Sequence, residues 1–263
     1  MTPNPSDLLT KISDHVRKHN LLSNICVKLQ NDFGLIPCIG VEIEFYLNDE
    51  HRRHVQNLIL KEEKGKYQYE IDLGPYMDIL SLVKDIGEAK QCLEDTYPDI
   101  NFHPKPFPDD YGSAMHFHIN FLKQDGSNYF DDVSAMDHVA SSLCHYLIPT
   151  FFVFAPDASH YKRYSGLMSP THVSYGPNNR TVAIRVPDSY PRRLEHRISS
   201  PMTDSYLAIF TILNSIYLGL KNPSQIKRYE KIHGNAFDEQ YSLETLPQSV
   251  EEAIRLVSED MWV

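Results

Sequence analysis

The sequence predicts an α+β fold in which helices cover an antiparallel sheet. Its 263 residues, 41% of them hydrophobic, suffice for the core of one large domain or two small ones. Five segments alternate apolar and polar residues with the period of a strand, and the segments around them have helical periodicity. Because the two types do not follow a regular βαβ rhythm, antiparallel pairing is favoured over a parallel sheet.

The predicted helices show apolar residues at helical spacing. The first one follows Ser6, a residue type that caps helices, and carries apolar residues from Leu8 to Ile25. The predicted helices cover residues 6–31, 76–96, 138–155, 205–220 and 247–260. We therefore separate a helical segment, residues 1–35, from a domain formed by residues 36–263.

The predicted strands carry polar side chains that share a face. They cover residues 38–47, 64–73, 114–122, 181–187 and 194–199. The charged stretch before the second strand is compatible with a helix or a hairpin arm. Side chains two residues apart on a strand point the same way. The groups that do so are Glu42 with Glu44, Gln68 with Glu70 and Asp72, and His116 with His118.

These polar faces indicate a divalent metal site. A polar strand face commonly looks at water, but here three strands carry carboxylates and imidazoles, which divalent cations prefer as ligands. Two unit charges 4 Å apart interact by about 4 kcal/mol at an effective dielectric near 20. Converging carboxylates would therefore oppose folding unless cations joined them.

Residues 162–197 form a basic stretch within an acidic chain. Seven lysines and arginines stand there against two acidic residues, while the whole chain has a net charge of -10. Arginines that alternate with apolar residues on strands are suited to phosphate or carboxylate. Carboxylates for metal and arginines for anions together indicate phosphoryl transfer. The glycine-rich loops GxxxxGK[ST] and GxGxxG are absent from the sequence, so a nucleotide must be held in another way.

The net charge and hydropathy argue against several classes of partner. An isoelectric point near 5.7 gives no electrostatic footprint for nucleic acid or an anionic membrane. The sequence has no N-terminal signal of the secretory type and no apolar run long enough to span a membrane. We therefore expect a cytoplasmic protein that binds neither nucleic acid nor membrane.

The order of the motifs resembles the catalytic domain of glutamine synthetase, over about residues 36–257. The segments that carry the resemblance are "GVEIEFYL", "KEEKGKYQYEIDLGP", "PKPFPDDYGSAMHFHINFL", "HYKRY", "NNRTVAIRVP", "RRLEHRISSPMTDSYLA" and "TLPQSVEEAIRLV". The resemblance implies a curved antiparallel sheet flanked by helices. It also implies an ATP-dependent ligase with two Mg²⁺ or Mn²⁺ ions, which phosphorylates the γ-carboxylate of glutamate and lets an amine displace the phosphate.

Roles for individual residues follow from the same resemblance. It implies that Glu44, Glu62 and Glu70 bind one metal ion, with Glu62 preferred over Glu63 because its offset from Glu70 matches the family. It implies that Glu42, His116 and Glu195 bind the second ion. The implied anion-binding residues are His118 for the nucleotide phosphates, Arg180 and Arg185 for the transferred phosphoryl group, Arg163 and Arg197 for glutamate and the acyl phosphate, and Gly112 for close backbone approach.

The sequence also departs from the family pattern. Family members carry a β-grasp domain ahead of the first metal strand, where residues 1–35 of this sequence are predicted to be helical, so a second copy or a partner chain would have to supply that half of the site. The family flap contains a glutamate that takes the ammonium proton, whereas "RYSGLMSP" has Met168 or Ser169 there. Tyr111 and Ala114 replace an asparagine and a glycine of the family.

Two functional hypotheses follow from retained metal ligands and a changed flap. The first is a carboxylate–amine ligase that uses an organic amine or ammonia, with the neutral flap favouring a less polar amine. The alternative is an inactive relative that binds ATP and metal as a sensor or regulatory partner. A glutamate–cysteine ligase type of activity is a weaker third option.

Overall fold

The computed structural model describes residues 4–48, 58–258 and 261. Residues 49–57, most of the charged stretch that the sequence left open between helix and hairpin arm, lie outside the described residues. The seven helices of the described chain are α1 (Pro5–Lys18), α2 (Leu21–Phe33), α3 (Ile79–Thr96), α4 (Val133–Phe154), α5 (Ala158–Tyr161), α6 (Ser205–Lys221) and α7 (Val250–Leu256). The strands are β1 (Ile36–Tyr46), β2 (Lys61–Glu62), β3 (Gln68–Tyr76), β4 (Met115–Leu122), β5 (Tyr175–Pro177), β6 (Ile184–Val186) and β7 (Leu194–His196).

The strands form one seven-stranded sheet in the order β2-β3-β1-β4-β7-β6-β5. Every pairing is antiparallel except that of β5 with β6, which is parallel. The predicted α+β class with an antiparallel sheet is therefore confirmed, with one parallel edge pair that the sequence did not indicate. Strand β5 was missed because its sequence, "YGP", offers glycine and proline in place of alternation.

The predicted N-terminal helical segment contains two helices. Asn20 takes a left-handed conformation with φ of 51°, and the chain turns there between α1 and α2. Asparagine tolerates this conformation better than most residues, which makes it a suitable break. The expected cap at Ser6 is wrong, because the Asn4 side chain accepts hydrogen bonds from the backbone N–H groups of Ser6 and Asp7.

The other predicted helices are present with shifted ends. Helix α4 begins after its cap Asp132, earlier than predicted, and α7 is shorter than the predicted segment and begins after Ser249. Most residues of helices α4 and α6 are buried, and the two helices pack against one another. Among the described residues, no helix is both long and apolar enough to cross a membrane.

The core joins the N-terminal helices to the sheet. Ile12 and Val16 of α1 belong to the same buried cluster as Phe45 of β1 and Phe117 of β4. The boundary between residues 35 and 36 stays a prediction. One face of the sheet packs on this core, and the opposite face of β1, β3 and β4 carries the polar side chains described next.

Candidate metal and anion site

Strand β1 separates its side chains between core and site. Ile43 and Phe45 are fully buried in the core. Glu42 and Glu44 alternate with them and lie on the opposite face. The strand therefore presents two carboxylates to one side because its apolar residues are fixed on the other.

Register carries this face onto the neighbouring strands. Glu44 lies opposite Glu70 of β3, and Glu42 lies opposite Asp72 of β3 and His116 of β4. Cross-strand partners have adjacent side chains on the same face. The three long strands thus gather five titratable groups into one patch.

Two acidic triads in this patch have the geometry of cation sites. The first triad consists of Glu42, His116 and Glu195, and the second triad consists of Glu44, Glu63 and Glu70. Within each triad the ligand atoms lie within 4.8 Å of one another. Carboxylate oxygens with one imidazole form a donor set that suits Mg²⁺ or Mn²⁺. A third group, Glu42, Glu70 and Asp72, meets the same distance criterion.

The hairpin of β2 and β3 brings Glu63 into the second triad and leaves Glu62 outside it. Glu62 lies opposite Tyr69, whose side chain faces the core, while Lys61 lies opposite Glu70. Glu62 therefore belongs to the other face of the sheet, and Glu63, one residue further, returns to the site. The spacing between Glu62 and Glu70, which matches the family, could not show this. The turn between β2 and β3 determines which residue of the hairpin shares a face with Glu70.

The first triad shows close contacts around His116. Its Nδ1 lies 3.3 Å from Glu42 Oε2 and 3.5 Å from Glu195 Oε1. The imidazole is buried, and burial together with the nearby Arg197 charge lowers its pKa to about 4. His116 is therefore a neutral imidazole at pH 7, which is the form that binds metal ions.

The carboxylates divide into two electrostatic groups. Burial raises the pKa of Glu44 and of Glu70 to about 8, and the neighbouring carboxylates add to the rise at each. Burial opposes ionisation of Glu195 as well, but Arg197 and other cationic neighbours hold its pKa at about 2. Contacts with His116 and His118 likewise outweigh burial and keep the pKa of Glu42 well below its usual range. The second triad thus lacks enough cationic neighbours to ionise fully, and a bound cation would favour its ionised form.

Arginines form a wall on the other side of Glu195. Arg185 Nη1 donates to Glu195 Oε2 at 2.6 Å, and its other terminal nitrogen donates to Asn178. Arg197 donates to the second carboxylate oxygen of Glu195. Arg163 is buried behind them and donates to the carbonyl groups of Arg197 and Ile198 at 2.9 and 2.7 Å.

Gly112 lies where a side chain would not fit. A Cβ there would come within 2.7 Å of Arg163 Cγ and 2.9 Å of the Pro104 carbonyl oxygen. Its own carbonyl oxygen accepts a hydrogen bond from Gln68, which also reaches Glu44. The glycine therefore lets the loop before β4 close onto Arg163, between the arginines and the second triad.

Two residues of the site were not assigned from the sequence. Arg193 donates from Nε to His118 Nδ1 at 3.0 Å, and His118 Nε2 lies 2.8 Å from Glu42 Oε1. Lys61 forms ion pairs with Glu70 and Asp72. Arg193 lies in the basic stretch and is two residues from Glu195, which was a usable signal for it. No sequence signal indicated Lys61, because the face of the sheet on which its side chain lies depends on the hairpin of β2 and β3.

The flap lies over the second triad. Leu167 and Met168 both have left-handed backbone conformations, at φ of 52° and 69°, and their side chains are exposed. The Met168 carbonyl oxygen accepts a hydrogen bond from Arg197 at 3.0 Å, and the Arg180 carbonyl oxygen accepts a longer one. The flap is thus attached to the arginine wall through its backbone, and it presents apolar side chains.

Two cavities meet at the carboxylates. The smaller is lined by the second triad's Glu44 and Glu63, the flap and three arginines, Arg163, Arg180 and Arg197. The larger is an open cleft on the other side of Glu42. Its lining includes His118, Arg193 and Tyr190. Glu42 and Glu44, neighbours on one strand, therefore face different cavities.

Comparisons with known proteins identify relatives of this chain. A family model described as the catalytic domain of glutamine synthetase matches residues 59–263. The sequence is 25% identical to gamma-glutamylputrescine synthetase PuuA of Escherichia coli strain K12, over 91% of this chain and 65% of that protein. It is 28% identical to a glutamine synthetase of Pyrococcus woesei, over 78% of this chain and 50% of that protein. The chain therefore spans half to about two thirds of the length of these relatives.

Solved structures show the same fold. A complex of GmaS with ADP superposes with a TM-score of 0.78 at 20% identity, covering 92% of this chain and 68% of that one. GmaS without ligand gives a TM-score of 0.77 at 21% identity. At this level of identity the likeness concerns the fold alone.

Proposed function

This chain belongs to the glutamine synthetase family, and from that premise we propose that it is an ATP- and metal-dependent carboxylate–amine ligase. In the proposed reaction, a γ-carboxylate oxygen of glutamate attacks the terminal phosphorus of ATP, and ADP leaves. The nitrogen of an amine then attacks the acyl carbon, phosphate leaves, and the amine gives up a proton.

One observation carries the proposal: two acidic triads lie on one face of the sheet, opposite a wall of arginines in which Arg163 and Arg197 are buried. A structural cluster of carboxylates would be balanced by its own chain, but here burial and, to a lesser extent, the neighbouring carboxylates raise the pKa of Glu44 and Glu70 to about 8. Ionisation of this triad therefore calls for a cation that the chain itself does not supply in full. The arginines opposite are suited to the negative charge of a phosphoryl group.

The residues of the two triads would hold the two metal ions, Mg²⁺ or Mn²⁺. Bound there, the ions would supply positive charge that neutralises phosphate oxygens and orients them. The second triad, Glu44, Glu63 and Glu70, provides the proposed ligands of one ion, with Glu63 in place of the Glu62 that the family offset favours. The first triad, Glu42, His116 and Glu195, provides the proposed ligands of the other ion.

The open cleft is the proposed nucleotide site. His118 and Arg193 at its inner end provide imidazole and guanidinium groups for phosphates, beside the carboxylate of Glu42. Leu73 and Tyr190 line the same cleft and offer apolar surface for a base. This placement puts the terminal phosphate near Arg185, which we propose neutralises it together with Arg180.

The smaller cavity is the proposed glutamate site. Arg197, Arg163 and Gly112 line it, and the lack of a side chain at Gly112 lets the loop before β4 pack closely against Arg163. Arg197 reaches both Glu195 and the flap, so it lies between the proposed phosphoryl and amine positions. We propose that Arg197 contacts the acyl phosphate as it forms.

We propose that the amine is organic and less polar than ammonium. Leu167 and Met168 place apolar side chains at the mouth of the smaller cavity, where the family flap has a glutamate. An ammonium ion would leave its donors poorly paired there. The name of the Escherichia coli relative, a gamma-glutamylputrescine synthetase, supports an organic amine of some kind. A second copy or partner chain at the site, and a cytoplasmic location, stay predictions.

The test is formation of glutamyl hydroxamate from glutamate, ATP, Mn²⁺ and hydroxylamine. We expect product with the wild-type protein and none with Glu195→Ala. A folded protein that binds ATP and Mn²⁺ but forms no hydroxamate would overturn the ligase proposal and leave the sensor function. A panel of primary amines, scored by ADP release, then tests the flap: alkylamines should exceed ammonia, and Met168→Glu should shift the preference toward ammonia.

A further inference from the structure

A serine, a histidine and an aspartate form a hydrogen-bonded chain outside the site described above. His160 Nδ1 lies 3.0 Å from Ser200 Oγ, and His160 Nε2 lies 3.2 Å from Asp157 Oδ2. Such a constellation can activate a serine nucleophile. Here His160 is 1% exposed and Ser200 is 0% exposed. A substrate cannot reach the hydroxyl, so the chain does not have that function.

The hydrogen bonds define which group donates. A carboxylate accepts, so Nε2–H of His160 donates to Asp157 and Nδ1 has the lone pair. Ser200 therefore donates its hydroxyl proton to Nδ1, while its oxygen accepts from the Met202 backbone N–H at 3.2 Å. Burial lowers the pKa of His160, in keeping with a neutral ring.

This chain of bonds joins two segments that carry substrate-binding arginines. His160 belongs to α5, three residues before Arg163, and Ser200 lies three residues after Arg197. Three further hydrogen bonds join the same segments: Arg163 donates to the carbonyl groups of Arg197 and Ile198, and the Tyr164 hydroxyl donates to that of Ile198. Among the described residues, the bond between His160 and Ser200 is the only one of these contacts made outside the two arginines and their immediate neighbours in sequence.

We infer that His160 is a positioning residue, which sets the distance between Arg163 and Arg197 through its bond to Ser200. The inference rests on the proposed function in one respect, that these arginines bind glutamate. Asp157 lies at the surface and fixes the ring orientation. Arg163 and Arg197 carry like charges and repel one another. A contact that holds their two segments together opposes this repulsion.

The matched variants are His160→Asn and His160→Gln. The Asn amide reaches the position of Nδ1 and can accept from Ser200, whereas the Gln amide reaches the position of Nε2 and loses that bond. We expect His160→Gln to bind glutamate about tenfold more weakly, as the loss of one buried hydrogen bond implies. We expect His160→Asn to retain most of the affinity.

Two neighbouring serines give a second pair. Ser200→Ala removes the bond to His160 and should resemble His160→Gln. Ser199→Ala is the control, because the Ser199 hydroxyl is buried and has no hydrogen-bond partner among the described residues. Binding of ADP with Mn²⁺ should be unchanged in all four variants, since the open cleft lies on the other side of Glu42. Equal glutamate affinity in His160→Gln and His160→Asn would overturn the inference.

A readout without substrate separates this inference from the proposed function. Hydrogen exchange of residues 196–204, followed by mass spectrometry, should be faster in His160→Gln and in Ser200→Ala than in their partners. If the wild-type protein binds no glutamate, the proposed function fails and this exchange pattern still tests the contact. Unchanged exchange in His160→Gln would show that the contact does not hold the segment.

Discussion

The two halves of the sheet build the site in different ways. Strands β1, β3 and β4 are 8 to 11 residues long, and each carries its functional side chains on the face that alternates with the core. Strands β5, β6 and β7 have three residues each, and the arginines beside them lie partly in loops and turns. Glu42, Glu44 and Glu70 are thus placed by strand parity, and the arginines by tertiary contacts.

This difference shows which parts of a site are robust. A side chain on a long strand cannot change face unless the core residues beside it change as well. An arginine on a short strand depends on its partners, as Arg185 does on Glu195 and Asn178. Substitutions on β1, β3 and β4 should therefore affect the replaced side chain alone. Substitutions on β5, β6 and β7 should also disturb the partners of the replaced side chain.

The largest effect is expected where the two halves meet, at Glu195. In Glu195→Gln the guanidinium groups of Arg185 and Arg197 lose their charged partner, and the first triad loses a ligand. We expect hydroxamate formation to fall about a thousandfold, which corresponds to roughly 4 kcal/mol. Circular dichroism and thermal melting would establish that the variant is folded. Activity within about tenfold of wild type would show that the halves are independent.

The next effect distinguishes the two adjacent glutamates of the hairpin. Glu63→Gln should reduce hydroxamate formation and Mn²⁺ affinity at least about a hundredfold, because loss of a direct ligand exceeds the usual effect of outer partners. Glu62→Gln is the matched control and should stay within about twofold of wild type, because Glu62 lies on the other face. The reverse result would restore the family offset and contradict the strand register.

A smaller effect is expected from Arg185→Lys. The guanidinium of Arg185 contacts Glu195 and Asn178 with different nitrogens, and a single ammonium cannot reach both in the same way. We expect about a tenfold loss of activity with little change in melting temperature. Arg192→Lys serves as the control, because Arg192 lies beside exposed Tyr190. Equal effects of the two would argue that charge alone matters in this half.

The smallest effect is a pH dependence of stability in the metal-free protein. Glu44 and Glu70 have pKa values of about 8 when folded, so they are neutral in the folded chain where the unfolded chain is ionised. Stability should therefore fall as pH rises from 6.5 to 8. The lowered pKa values of His116 and His196 act below pH 6.5 and leave this window clear.

Melting temperatures with and without Mn²⁺ measure this dependence. We expect a decline of a few degrees without Mn²⁺ and little or no decline with it, because the cation favours the ionised triad. Glu70→Gln should flatten the curve of the metal-free protein. A melting temperature that rises from pH 6.5 to 8 would contradict the shifted pKa values.

The metal side of the site could be predicted from the sequence, because alternation determines a face without any knowledge of neighbours. Glu42, Glu44, Glu70 and His116 lie on regular strands, and the structure brings all four together. Whether they bind metal stays a prediction. Alternation could not assign Glu62 or Glu63 to a face, because the turn before β3, in which Tyr67 has φ of 66°, lies between them and Glu70.

The arginine side could be predicted in composition but not in arrangement. The basic stretch indicated an anion site, yet the contacts of Arg193 with His118 and of Arg197 with the flap depend on segments far apart in sequence. Strand β5 had no alternation to reveal it. Its Gly176 approaches the Ile232 backbone so closely that a Cβ would lie 2.2 Å from the carbonyl oxygen, a constraint visible only in three dimensions.

The central position of β1 has a consequence for how this protein tolerates insertions and deletions. Adding one residue between Ile39 and Phe45 would exchange the two sides of the strand and bury acidic groups against phenylalanine and isoleucine. Insertions or deletions around residues 58–67 would change only whether Glu62 or Glu63 points toward the site. Divergence in length should therefore accumulate in that connection, while β1 retains its number of residues.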